Sequence, residues 1–241
     1  MMDENYKRTY VYSNTNNQKP KEMFIWLVGK LKETGIELKS ILDVGAAAGG
    51  FLRFAHESFP NAELVGVEYD DELVLLGNVD NPPFTLKRGD AYKLDEQSFH
   101  YDAVLMTGTH SIFDDFRPAF SETIRATKDG GYVLITGLFN DYPIDARIKW
   151  RYSDDAGGWQ SGYNLFSKES VARYLNAQPR VADFSFEKFI INLDIDPRDD
   201  PIRSWTRMNS NGTRELFNGI MPLNIELLMI RVGNQWAKKK Q

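Results

Sequence analysis

The sequence predicts an α/β fold, a largely parallel sheet covered on both faces by helices. Three observations predict it. Short apolar runs alternate with segments of helical periodicity between residues 40 and 136. The first of those runs, SILDVG at 40–45, ends in glycine, as a buried parallel strand does. The chain has 241 residues, enough for one large domain with a sizeable core.

The elements follow in order. Residues 1–20 are polar but carry Tyr6, Tyr10 and Tyr12, and read as an N-terminal arm. From Lys21 to Glu33, Phe24, Ile25, Leu27, Val28 and Leu31 recur at helical spacing, and Gly35 stops the helix. Ser40 to Gly45 (SILDVG) is the first strand, and Phe51 to Phe59 a helix closed by Pro60. Ala62 to Tyr69 (AELVGVEY) is the second strand, followed by helical Asp70 to Leu76. Phe84 to Gly89 is the third strand and Tyr101 to Thr107 the fourth. Asp114 to Thr127 reads as a helix with Pro118 near its start, and Gly131 to Thr136 as the fifth strand. Ser167 to Gln178 is a helix that Ser167 can cap. Phe184 to Leu193 and Ile225 to Val232 are two late strands. Residues 138–166 and 194–224 show no period. Structureless stretches of that length are usually functional, so both are expected to cover an acceptor-binding site within a single domain spanning 1–241.

Composition narrows the function. The absence of cysteine excludes disulfides, thiolate metal sites and a cysteine nucleophile, and fits a cytoplasmic setting. No apolar run approaches the roughly 18 residues of a membrane helix, and Met1 to Arg8 lack the apolar core of a signal peptide. The net charge of −5 argues against nucleic-acid binding, and Lys238-Lys239-Lys240 reads as a solvated tail.

A cofactor site is legible in three places. The turn after the first strand, Gly45 to Gly50, holds only Gly and Ala, which lets a ligand approach backbone and helix N-terminus. Glu68 ends the second strand about 20 residues further on, where a carboxylate can accept both hydroxyls of an adenosine ribose. Gly89-Asp90-Ala91 sets an acid on the same sheet edge, able to accept from an adenine amino group.

These segments resemble the class I, Rossmann-like methyltransferases that use S-adenosylmethionine (SAM). LDVGAAAGG resembles the family's first motif, VEYD its second and GDA its third. YDAVLMTGTH resembles the fourth, and KDGGYVLITG the fifth strand with its preceding turn. The resemblance spans Ile41 to Gly137 and departs at Ala47, where the family usually has glycine. It implies a seven-stranded sheet of order 3-2-1-4-5-7-6 with strand 7 antiparallel. It implies SAM as cofactor, held by Gly45, Ala46, Ala47, Gly49, Glu68, Tyr69, Asp90, Ala91 and Thr107.

In such enzymes the residues after strand four face the transferred methyl. His110 stands there in Thr107-Gly108-Thr109-His110 and, with an ordinary pKa of about 6.5, is expected to be the general base. Trp159, Tyr163 and Asn164, with Arg203 and Trp205, combine aromatic faces with Arg forks. They are expected to bind a small-molecule acceptor, a saccharide or nucleotide-linked intermediate. Asn81-Pro82-Pro83-Phe84 matches a nucleic-acid methyltransferase tetrapeptide but precedes strand three, so it reads as a rigid turn. No metal site is expected. Two other readings stay open: a dinucleotide oxidoreductase, although Ala47 replaces the second glycine of its G-x-G-x-x-G fingerprint, and a SAM-binding protein without turnover.

Overall fold

The computed structural model describes residues 21–154 and 157–233. The N-terminal arm and the Lys238–Lys240 tail lie outside them. In chain order the elements are α1 (Glu22–Glu33), β1 (Ser40–Val44), α2 (Gly50–Ser58), β2 (Glu63–Glu68), α3 (Asp71–Gly77), β3 (Thr85–Arg88) and β4 (Tyr101–Thr107). A 3₁₀ turn at His110–Ile112 leads to α4 (Arg117–Ala126) and β5 (Thr127–Asn140). Then come β6 (Lys149–Trp150), β7 (Gln160–Ser161), β8 (Phe166–Ser167), α5 (Lys168–Asn176), β9 (Val181–Lys188), β10 (Trp205–Met208), β11 (Arg214–Phe217) and β12 (Ile225–Val232).

The main sheet runs β3-β2-β1-β4-β5-β12-β9. Counting its members in chain order, this is 3-2-1-4-5-7-6, as expected. The β12 strand is antiparallel to both neighbours, and the remaining pairings in this path are parallel. All five residues of β1 are buried, because helices cover both faces of a central parallel strand. One face packs Leu42, Val44, Val104, Met106 and Ile135 against Phe116 and Phe120 of the α4 region. The other packs Ile41, Ala103, Leu105, Leu134 and Leu227 against Leu27 and Leu31 of α1 and Phe51 and Leu52 of α2.

Caps fix the helix starts. The Asp70 carboxylate accepts from Glu72 and Leu73 N–H at the start of α3, and Ser167 accepts from Ser170 N–H at the start of α5. Pro118 sits in the first turn of α4, where its missing N–H costs no helical bond.

Several boundaries differ from the periodicity reading, among them the start of the fifth strand, at Thr127 and not Gly131. Three more differ because a neighbour supplies or withholds partners. The fifth strand continues to Asn140, since β12 pairs up to Leu138 and β8 pairs with Phe139 and Asn140. The sixth core strand is Val181–Lys188, not Phe184 to Leu193: β12 pairs Val232 with Val181 and Glu226 with Lys188, and offers little beyond. Residues 194–224 are not structureless, because Trp205–Met208 and Arg214–Phe217 form an antiparallel hairpin. Asn209 turns that hairpin by accepting from Asn211 and Thr213 N–H, and Arg214 clamps it to Asp194 through two bonds of 2.8 and 2.9 Å. Among the described residues, no helix is long and apolar enough to cross a membrane.

Candidate functional site

The C-terminal edge of β2, β1, β4 and β5 gathers polar side chains on one face of the sheet. Register fixes this. Asp43 pairs with Gly66 of β2 and Leu105 of β4, and Leu105 pairs with Leu134 of β5. Glu68, Thr107 and Thr136 stand two residues further along their strands, so they share the face of Asp43. Leu105 and Leu134 belong to the apolar core behind them.

The small-residue bend after β1 is set by both backbone and packing. Gly45, Ala47 and Gly49 have φ of 77°, 49° and 72°, in the left-handed region. A Cβ on Gly45 would overlap the Thr109 side chain, and one on Gly49 would lie 2.6 Å from the Phe84 ring. The Asn81–Phe84 turn therefore delivers Phe84 onto the bend, far from the strand-four position of the nucleic-acid enzymes. Ala47, the departure from glycine, adopts the left-handed conformation at a cost of roughly 1–2 kcal/mol.

Glu68 is tied to that bend. Its Oε2 accepts from Ala47 N–H at 2.8 Å, and Oε1 accepts from Tyr69 and Asp70 N–H at 2.8 and 3.0 Å. A carboxylate has about four acceptor sites. Three are used, so one ribose hydroxyl can join at Oε2, and the expected pair of hydroxyls would need a backbone donor to yield. Burial raises the carboxyl pKa above its ordinary value, while the three N–H donors pull it down.

The sequence reading missed Asp43. It is buried, and its Oδ1 has no hydrogen-bond partner. Burial, with the neighbouring Glu68 charge adding to it, pushes its pKa up to about 7. A lone acid inside the apolar run of β1 was the signal available. Further along the edge, Asp90 is exposed and accepts from Tyr92 N–H, beside buried Ala91. Tyr69 is exposed, with the Arg88 guanidinium 5.3 Å from its ring centre.

His110 is placed differently from the expectation. Its ring is fully buried and joins the aromatic core on the opposite face, stacked 4.7 Å from Phe139, with Phe120 and Phe166 nearby. Nε2 bonds the Leu138 carbonyl at 3.2 Å. Gly137 makes room, since a Cβ there would overlap the imidazole. Burial lowers the pKa to about 4, against the raising effect of the Leu138 and Thr136 carbonyls. This corrects the expectation of a cleft-facing imidazole with an ordinary pKa.

A family model described as a methyltransferase domain matches residues 18–178. The chain belongs to this methyltransferase family. Its fold is shared by many solved structures. A SAM-dependent methyltransferase from Methanosarcina mazei has TM-score 0.59 and 14% identity, covering 85% of this chain and 98% of that one. A protein from Pyrococcus horikoshii has TM-score 0.58 and 15% identity, covering 96% and 100%. A phosphoethanolamine N-methyltransferase from Haemonchus contortus, in complex with SAM, has TM-score 0.60 and 16% identity, covering 94% of this chain and 56% of that one. A search of curated protein sequences found no match.

This methyltransferase brings its two irregular stretches, the expected acceptor cover, together. Tyr152 of the first donates its hydroxyl to Asp200 of the second at 3.0 Å. Trp150 packs edge-on to Tyr152, with Tyr163 6.5 Å away in a left-handed conformation. Trp159 is exposed beneath the Arg151 guanidinium. Arg203 lies 3.9 Å from Asp200, and Trp205 opens the β10–β11 hairpin. Asn164 is not available to an acceptor as expected: it is buried, its Oδ1 accepts from Ile148 N–H, and its Nδ2 donates to the Phe113 carbonyl. Its amide is spent fastening the first stretch to the loop after β4. Among the described residues, no group of three or more His, Asp or Glu gathers to hold a metal ion.

Proposed function

We propose that this chain transfers a methyl group from SAM to a nitrogen or oxygen of a small polar acceptor, a saccharide or nucleotide-linked intermediate. One observation carries the reading: the Glu68 carboxylate is fastened to the Gly45–Gly49 bend, with the unpartnered Asp43 carboxylate sharing its face. Two acids at a bend of small residues suit a ligand with a ribose diol and cationic centres. Asp43, at the bend itself, opposes a pyrophosphate, whose negative charge would lie beside its carboxylate, so the dinucleotide reading is disfavoured.

SAM fits these residues. When bound, it would supply a methyl on a sulfonium, taken by the acceptor's lone pair as the C–S pair returns to sulfur, with the acceptor's proton passing to water. In this reading Gly45, Ala46, Ala47 and Gly49 lie along the methionine part, and Asp43 faces its ammonium. Glu68 takes the ribose. Tyr69, Asp90 and Ala91 flank the adenine, and Thr107 stands at the transfer end. Trp159, Tyr163, Arg203 and Trp205 belong to the acceptor cover. His110 and Asn164 hold the scaffold.

Calorimetry with SAM, S-adenosylhomocysteine and NAD tests the cofactor. The first two bind and NAD does not; the reverse pattern overturns the proposal. Methyl transfer is then read on a panel of sugars, nucleotide sugars and amines. Binding without transfer to any of them would favour a non-catalytic SAM-binding protein.

A further inference from the structure

We propose that Thr107 and Thr136 form a paired hydroxyl clamp at the point of methyl transfer, selecting an acceptor whose attacking atom carries a proton, an amine N–H or a hydroxyl O–H. The inference deepens the methyl-transfer reading and rests on it.

The two residues are cross-strand neighbours, Thr107 at the end of β4 and Thr136 within β5, four residues before that strand ends. Both hydroxyl oxygens are buried, and neither has a hydrogen-bond partner. Other buried hydroxyls in this protein are satisfied: Thr123 donates to the Phe120 carbonyl, Thr127 to the Thr123 carbonyl and Ser40 to the His100 carbonyl. Among the described residues, Thr107 and Thr136 are the only serine or threonine side chains whose buried oxygen is unpartnered. Buried polar groups are ordinarily paired, so two adjacent exceptions at one sheet edge point to a partner that comes from outside.

Their place in the sheet says which part of the reaction they meet. Along one face the order is Glu68 on β2, Asp43 and the bend on β1, Thr107 on β4, and Thr136 on β5. Neighbouring strands are about 4.8 Å apart. A cofactor pinned by its ribose at Glu68 and by its amino-acid part at the bend directs its reactive carbon toward β4. Thr136 lies one strand further, beside the incoming acceptor. A hydroxyl both accepts and donates a hydrogen bond, so the pair can hold an N–H or O–H without a formal charge. Leucines form the rest of this wall: Leu105 and Leu134 precede the threonines, and Leu227 pairs with Thr136 on β12. A carbon nucleophile would leave both hydroxyls unsatisfied.

Sinefungin provides the test without knowledge of the acceptor. This SAM analogue carries an amine where the transferred methyl would be, and so places N–H donors at the proposed clamp. S-adenosylhomocysteine has nothing there. Calorimetry on wild type, Thr107→Val, Thr136→Val and Thr136→Ser reads the ratio of the two affinities. Each valine variant is expected to lose roughly tenfold of the sinefungin preference, the scale of one hydrogen bond to a charged group. In the Thr136 variants S-adenosylhomocysteine affinity stays within about twofold, and serine restores the preference. Thermal unfolding of Thr136→Val should match or exceed wild type, since an unsatisfied hydroxyl is replaced by a methyl of the same shape. An unchanged ratio in both valine variants, or a matching fall in stability, overturns the clamp while leaving SAM binding intact. If wild type binds neither ligand, the methyl-transfer reading itself fails.

Discussion

Ala47 donates its backbone N–H to the Glu68 carboxylate at 2.8 Å from a left-handed conformation, φ 49°. This bond joins the bend after β1 to the tip of β2. The acid that would hold a nucleoside is therefore oriented before any ligand arrives, by the same backbone that would lie against the ligand's other end.

Glu68→Ala should act on both binding and stability. It strands three N–H donors, those of Ala47, Tyr69 and Asp70. A cost of about 1–3 kcal/mol in unfolding free energy is expected. SAM affinity should fall at least roughly tenfold by calorimetry. Glu68→Gln keeps an acceptor oxygen and should recover part of both. Unchanged SAM affinity in the alanine variant would remove the ribose assignment.

Ala47→Gly separates strain from chemistry. Glycine relieves the left-handed penalty but adds freedom to the unfolded chain, and the two effects are each about 1 kcal/mol. Denaturant unfolding should therefore move by less than roughly 1 kcal/mol in either direction. SAM affinity should hold or rise, because no contact requires the Ala47 methyl. A large loss of affinity would mean that the methyl touches the cofactor.

The sheet was legible because apolar runs and helical segments alternate without interruption to Thr136, and the order of strands came with the family resemblance. The site was legible only where chemistry sits at strand ends. Asp43 was missed because a single acid inside SILDV is outweighed by its neighbours, and only the fold shows its oxygen without a partner. His110 was misread because its distance from strand four says which loop it occupies, not which face it enters. That choice is made by Gly137, whose bare backbone admits the ring. The β10–β11 hairpin carried a signal in Asn211-Gly212, a common turn pair, but its flanking strands are short and mixed in polarity.

Asp43→Asn should invert the usual pH dependence. The folded carboxyl titrates at about 7, above its unfolded value, so the native state binds the extra proton. That contribution is fully present below about pH 4 and is lost as pH rises through 7. At pH 8 wild type buries a charge that asparagine does not carry, and the variant should be more stable by on the order of 4 kcal/mol. At about pH 4 the gain should shrink toward zero. SAM affinity should weaken in the same variant, roughly tenfold, for want of the charge. Thermal scans at the two pH values check the first claim and calorimetry the second.

His110 supplies the opposite slope. Its folded pKa of about 4 lies below the ordinary 6.5, so the native state holds a neutral ring that the unfolded chain would protonate. Stability from this group is complete above about pH 6.5 and is lost as pH falls toward 4, up to roughly 3 kcal/mol in all. His110→Gln should flatten that acid limb in unfolding scans. It should also cost about 1–3 kcal/mol at neutral pH, because the stack on Phe139 is lost. Turnover on a responsive acceptor should survive in the folded variant, since the ring lies across the sheet from Asp43, Glu68, Thr107 and Thr136. A collapse of kcat with native stability retained would instead show that the imidazole reaches the acceptor through a rearranged loop, and the scaffold assignment would have to be abandoned.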